Sequence, residues 1–148
     1  MIYFEDLEVG STYHSPEHEM TPEEIVTFAR QYDPQDFHTD AEAAKATLFG
    51  HLVASGWHTA AVTMGLMVRS NLELDGGVIG QGVESLRWPR PVLPGDRLRV
   101  VMEIIEIGTE RTRTGRGRAK LRCRTFNQND KVVQEMIANL VIACRRAG

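Results

Sequence analysis

Residues 55–69 carry apolar side chains on nearly every side of a helix: Trp57, Ala60, Ala61, Val62, Met64, Leu66, Met67 and Val68. A helix without a polar face is expected to be buried on all sides. The material to bury it comes from the second half of the chain, where the apolar period becomes two. Val78 to Leu86, Arg97 to Ile107, Arg113 to Phe126 and Val132 to Ala143 read as long strands. They are separated by turn-forming clusters at Pro89 to Asp96, Gly108 to Thr109 and Asn127-Gln128-Asn129-Asp130, the last closing a hairpin. On the final strand Val132, Gln134, Met136, Ala138, Leu140 and Ile142 share one face, polar only at Gln134, which is expected to lie on the central helix. The economical solution is α+β: a single domain over residues 1–148, with one antiparallel sheet wrapped about one helix.

The first half is helical by its caps. Thr21-Pro22-Glu23-Glu24 combines an N-cap hydroxyl, proline at the first helical position and Glu three residues after the cap. The helix so started runs through Ile25, Val26, Phe28 and Ala29 and stops near Tyr32, because Pro34 disfavours helical geometry at Asp33. Asp40 caps a short stretch from Ala41 to Ala46.

Charge and size exclude several function classes. The chain has 148 residues, 42% of them hydrophobic, enough for one core and too few for two. Its 17 basic and 20 acidic residues leave a net charge of -3, so no positive field is available to hold nucleic acid. Cys123 and Cys144 form no CxxC pair, and the opening Met1-Ile2-Tyr3-Phe4-Glu5-Asp6 lacks a secretory pattern. The expectation is a cytoplasmic protein with reduced thiols and no membrane span.

Two segments carry candidate chemistry. Tyr32-Asp33-Pro34-Gln35-Asp36-Phe37-His38 sets a carboxylate and an imidazole five positions apart on a turn-rich stretch. Isolated groups of these kinds titrate near pH ~4 and ~6.5, so near neutrality one accepts a proton and the other exchanges one. The second, Phe49-Gly50-His51-Leu52-Val53-Ala54-Ser55-Gly56-Trp57, is a small-residue turn opening the apolar helix, whose N-terminal N–H groups could polarise a carbonyl. Together they are equipment for moving a proton beside a polarised carbonyl.

These residues resemble the MaoC-like dehydratases and (R)-specific enoyl-CoA hydratases of the hot-dog fold, in which a curled antiparallel sheet wraps a long helix. The likeness takes in Phe4-Glu5-Asp6-Leu7-Glu8-Val9-Gly10, the Asp33 to His38 segment, the helix mouth, Leu93-Pro94-Gly95-Asp96 before a long strand, and Phe126-Asn127-Gln128. The family signature runs Gly-Asp, any residue, Asn-Pro, an aliphatic residue and His. Asp33 and His38 match its acid and imidazole, whereas Tyr32, Gln35, Asp36 and Phe37 replace the glycine, asparagine, proline and aliphatic residue.

The resemblance implies a hydro-lyase interconverting trans-2-enoyl-CoA and (R)-3-hydroxyacyl-CoA, as in fatty acid metabolism. Asp33 and His38 would hold one water between them, and the backbone N–H of Gly56, beside Ser55, would receive the thioester oxygen. It also implies a homodimer or larger homo-oligomer with the acyl tunnel at the subunit contact, and no cofactor beyond the coenzyme A of the substrate. The competing functions are a hot-dog thioesterase and a non-catalytic acyl-CoA-binding subunit.

The remaining candidates are weighed against ordinary structural roles. His58, Trp57, Phe37 and Met64 are possible pocket residues, Met64 standing with Thr63 where many relatives carry a small hydroxyl residue. His38, His51 and His58 lack carboxylates at ligand spacing, so no metal site is expected. Asp36 reads as a turn cap. Arg116, Arg118, Lys120, Arg122 and Arg124 alternate and so share one strand face, a solvated outer surface first. Cross-strand ion pairs and a landing surface for coenzyme A phosphates are the alternatives, with Arg87 and Arg90 as nearer phosphate contacts.

Overall fold

The computed structural model describes residues 1–146. Six strands form one antiparallel sheet in the order β1-β4-β5-β6-β3, with β2 pairing β4 beside that path. The strands are β1 (Thr12–His14), β2 (His18–Glu19), β3 (Ile79–Arg87), β4 (Arg97–Ile107), β5 (Gly117–Phe126) and β6 (Val132–Ile142). The helices are α1 (Pro22–Tyr32), α2 (Asp36–Thr39), α3 (Ala41–Ala44) and α4 (Gly56–Val68). The curled sheet packs on α4 in the hot-dog arrangement. No described helix is long and apolar enough to cross a membrane.

The caps act as their chemistry predicts. Thr21 Oγ1 accepts the N–H of Glu24 at the start of α1, and Asp40 accepts those of Glu42 and Ala43 at the start of α3. The hairpin between β5 and β6 turns through Asn127–Lys131, with Asp130 at φ 57, a left-handed position that aspartate tolerates. The short strands β1 and β2 and the turn α2 carry too few residues for a periodic signal. β5 starts at Gly117 because Thr112–Arg116 folds back on itself, the N–H of Thr112 reaching the carbonyl of Arg116.

One side of α4 supplies the core: Leu66 and Met67 lie among Leu98, Val100, Met102 and Ile104 of β4 and Leu121 and Cys123 of β5, all essentially closed to solvent. Burying each of the larger side chains contributes about 1.5–3 kcal/mol. Cys123 sits 3.7 Å from the Met67 sulfur, and burial pushes its thiol up to about 12.

Two expectations are corrected here. α4 is not buried all round: Trp57, Ala61, Met64 and Val68 are exposed. At spacings of four, three and four they form one stripe, and a single sheet covers only the opposite side of the helix. On β6 the alternation also breaks, since Val133 is as buried as Gln134. A register shift opposite Phe126 makes Val133 the extra residue of a bulge, turning it inward.

The outer face of β5 is ion-paired. Lys120 bridges Glu84 and Glu106, Arg122 meets Glu103, and Arg124 meets Glu135. Cross-strand pairing therefore accounts for much of the basic stripe.

Candidate active site

Pro34 ends α1 and leaves Asp33 as its C-cap, with its N–H on the carbonyl of Ala29. The next turn, α2, is lashed to residues 52–55 at two points. The N–H of Val53 donates to the carbonyl of Phe37, and His38 Nδ1 lies 2.7 Å from the carbonyl of Val53. The N–H of Ala54 bonds the carbonyl of Val92, so three separate stretches of chain meet at the mouth of α4.

There His38 Nε2 stands 3.2 Å from Asp33 Oδ2. That oxygen also accepts the hydroxyl of Ser55 at 2.7 Å, and Oδ1 accepts the Gln35 amide at 2.6 Å. Burial alone would raise the Asp33 carboxyl; the hydrogen bonds from Gln35 and Ser55 and the His38 charge outweigh it and hold the group below the usual carboxylate range. Because a carbonyl only accepts, His38 Nδ1 carries the hydrogen toward Val53. A protonated imidazole then donates Nε2–H to Asp33 Oδ2, and a neutral one presents the Nε2 lone pair to it.

Ser55 occupies the N-cap of α4 but makes no side-chain cap bond. The first N–H groups of a helix have no partner within it, and Gly56, the first residue of α4, lines a cleft of about 310 Å³. Phe37, His38, Phe49, Thr59, Trp88 and Arg90 also line it. Neither Asp33 nor Ser55 lines it; Asp33 meets the cleft through His38. A larger cavity of about 640 Å³ lies by Tyr3, Asp75, Arg116 and Arg145, and neither Asp33 nor His38 lines it.

Gly56 is glycine for a steric reason. A Cβ there would lie 2.6–2.9 Å from three ring carbons of Trp88, so the indole fills the space of the missing side chain. Trp88 also donates its Nε1–H to Oε1 of the fully buried Gln134 at 2.9 Å.

Phe37 is brought to the cleft; three other pocket candidates are not. His58 turns away and stacks on Phe28 of α1 with ring centroids 4.6 Å apart. Trp57 stands in solvent, edge-on to Trp88, and Met64 lies two turns further along α4 beside a separate groove. The reason is helical phase: positions 57, 58 and 64 do not share the face of Gly56. Asp36 is exposed at the first position of α2, where Gln35 is the cap, so it is not the cap expected of it. Among the described residues no three His, Cys, Asp or Glu side chains converge. Reading by sequence missed Thr59, Phe49 and the indole of Trp88. The polar exception at Gln134 was the available signal for the last.

A family model described as "MaoC like domain" matches residues 6–124. The chain is 43% identical to a structure described as the MaoC-like dehydratase from Rhodospirillum rubrum, with a TM-score of 0.94 over 99% of this chain and 100% of that one. It is 27% identical to the (R)-hydratase PhaJ1 from Pseudomonas aeruginosa, with a TM-score of 0.78 over 97% of this chain and 87% of that one. It is also 33% identical to a 3-hydroxybutyryl-CoA dehydratase from Methylorubrum extorquens, across 90% of this chain and 79% of that protein.

Proposed function

Because this chain belongs to the MaoC-like domain family, we propose that it is a hydro-lyase that interconverts trans-2-enoyl-CoA and (R)-3-hydroxyacyl-CoA. The observation that carries this reading is the 3.2 Å approach of His38 Nε2 to Asp33 Oδ2 beside the open N-terminus of α4. With the imidazole neutral the two atoms are both acceptors, and a water that donates one O–H to each satisfies them. Its oxygen adds to C3 of the enoyl group, and the proton it releases passes through the pair to C2. Negative charge gathers on the thioester oxygen in between, and the Gly56 N–H receives it, aided by the helix N-terminus. Each acid or base group contributes about 10²- to 10⁴-fold, and an oxyanion donor about 10²- to 10³-fold. No cofactor enters the proposal, since addition of water moves no electrons.

The same reading includes a second copy of this chain. The exposed stripe of Trp57, Ala61, Met64 and Val68 and the unpaired edge of β3 are what self-association would cover. Sedimentation of the wild type against Met64→Glu tests it: a monomeric wild type contradicts the dimer.

The activity is tested with crotonyl-CoA, following loss of the conjugated absorbance in parallel with free thiol. Hydration without thiol release is expected. Thiol release without hydration makes the protein a thioesterase instead, and binding without reaction makes it an acyl-CoA carrier.

A further inference from the structure

Two cavities touch α4 at different points along its length, and they share no lining residue. The first is the cleft of His38 and Gly56. The second, about 260 Å³ and almost wholly apolar, is lined by Met64, Met67, Val83, Met136, Ala138 and Leu140 among others. At 1.5 Å per residue, Met64 is about 12 Å along α4 from Gly56. On the sheet the order is the same. Leu86 pairs with Met136 and Arg87 with Glu135, so Trp88 falls next to Gln134, one step before the groove begins.

The indole lines the cleft and, through Gln134, holds the strand whose Met136, two residues further on, lines the groove; it is fixed from three sides. Its six-membered ring fills the Cβ space of Gly56, its N–H is held by Gln134, and Trp57 meets it edge-on at 5.3 Å. Gln134 is fully buried on a face otherwise apolar, and its Nε2 finds no hydrogen-bond acceptor among the described residues. A buried amide left half-satisfied calls for a reason, and orienting the indole supplies one. Simple core packing at this site would be served by an apolar residue in place of Gln134.

We infer that Trp88, held by Gln134, is a specificity-determining partition that confines the acyl group to the cleft and makes the substrates short-chain enoyl thioesters. This rests on the hydratase reading of the cleft. A four-carbon acyl group ends on the His38 side of the indole. Longer chains need the apolar groove beyond it, which the ring closes off.

The test compares kcat/KM for crotonyl-CoA and trans-2-octenoyl-CoA. The wild type favours crotonyl-CoA. Trp88→Ala raises the octenoyl-to-crotonyl ratio by about tenfold or more, the scale of methylene groups gained by an apolar pocket. Trp88→Phe, which keeps a ring, leaves the ratio near the wild-type value. Adding Val83→Trp to Trp88→Ala refills the groove and reverses the gain. Should Trp88→Ala not fold, Trp88→Leu opens the same passage in smaller measure. An unchanged ratio in the Ala or Leu variant, with crotonyl-CoA still hydrated, overturns the partition and leaves the hydratase standing. If the wild type hydrates neither thioester, the hydratase reading fails. The partition is then judged by calorimetric binding of octanoyl-CoA: tighter binding to Trp88→Ala supports it and equal binding overturns it.

Discussion

Ser55 stands at the cap of α4, yet its hydroxyl donates to Asp33 Oδ2 at 2.7 Å and leaves the helix uncapped. One bond thereby does two things. It holds the carboxylate beside His38, and it leaves the N–H groups of Gly56 and Trp57 without a side-chain cap.

Ser55→Ala therefore separates holding from capping. Hydrogen bonds to charged groups contribute about 1.5–3 kcal/mol, so kcat/KM for crotonyl-CoA falls by about tenfold or more. The Asp33 carboxyl, held low partly by this bond, moves upward, and the acid limb of the rate profile moves to higher pH with it. A rate profile identical to wild type would show the bond to be incidental.

Asp33→Asn and His38→Ala each lower kcat by about 10²-fold or more. Their effects are expected not to multiply, because in the proposed mechanism both groups serve one water. Circular dichroism of each variant checks that the fold is kept. Full activity in either variant removes that residue from the mechanism.

Gly56→Ala is destabilising although its backbone is ordinary, because the new methyl meets the Trp88 ring at 2.6 Å. Overpacking of this kind costs about 1–3 kcal/mol. A lowered urea midpoint and altered tryptophan fluorescence are the expected readings; an unchanged midpoint means that the indole moves freely.

His58 is expected to make the protein acid-sensitive. Burial lowers its pKa, with Glu24 acting in the opposite direction and His18 reinforcing the shift, so the folded state prefers the neutral ring. The unfolded chain binds a proton more readily, hence stability is full above pH ~6.5 and is lost as pH falls from there through the lowered folded value. Asp33, also lowered, adds its own loss only below pH ~3.8. His58→Phe keeps the stacking on Phe28 and removes the proton. Its urea midpoint should change less than that of the wild type between pH 7.5 and 5, and an equal change places the sensitivity elsewhere.

Arg90 lines the cleft, whereas Lys120 is engaged by Glu84 and Glu106 on the outer face. Arg90→Ala is expected to raise KM for the coenzyme A thioester several-fold and to matter less for a pantetheine thioester, which lacks the nucleotide phosphates. Lys120→Ala leaves KM alone and changes stability little, as for other exposed ion pairs. Equal effects on both thioesters would mean that Arg90 does not meet phosphate.

The strands β4 and β6 and the helix α1 were legible because each is written in its own few residues. Alternation, an N-cap threonine and a proline after the last turn act over distances of less than ten positions. β1, β2 and α2 are too short for any period, and sheet pairing defines them. The Asp33 and His38 spacing was readable for the same local reason, since one turn brings the two together.

What the sequence determined by itself is the periodic sheet, the apolar helix and a carboxylate one turn from an imidazole, all products of local chain geometry. The tertiary structure alone decided which side of α4 meets the sheet, and with it the fate of His58, Trp57 and Met64. It also set Ser55 on Asp33 across 22 positions, and Trp88 on Gln134 across 46. Contacts of that span have no local signature, because they exist only once the sheet has curled and the mouth of α4 has closed against it.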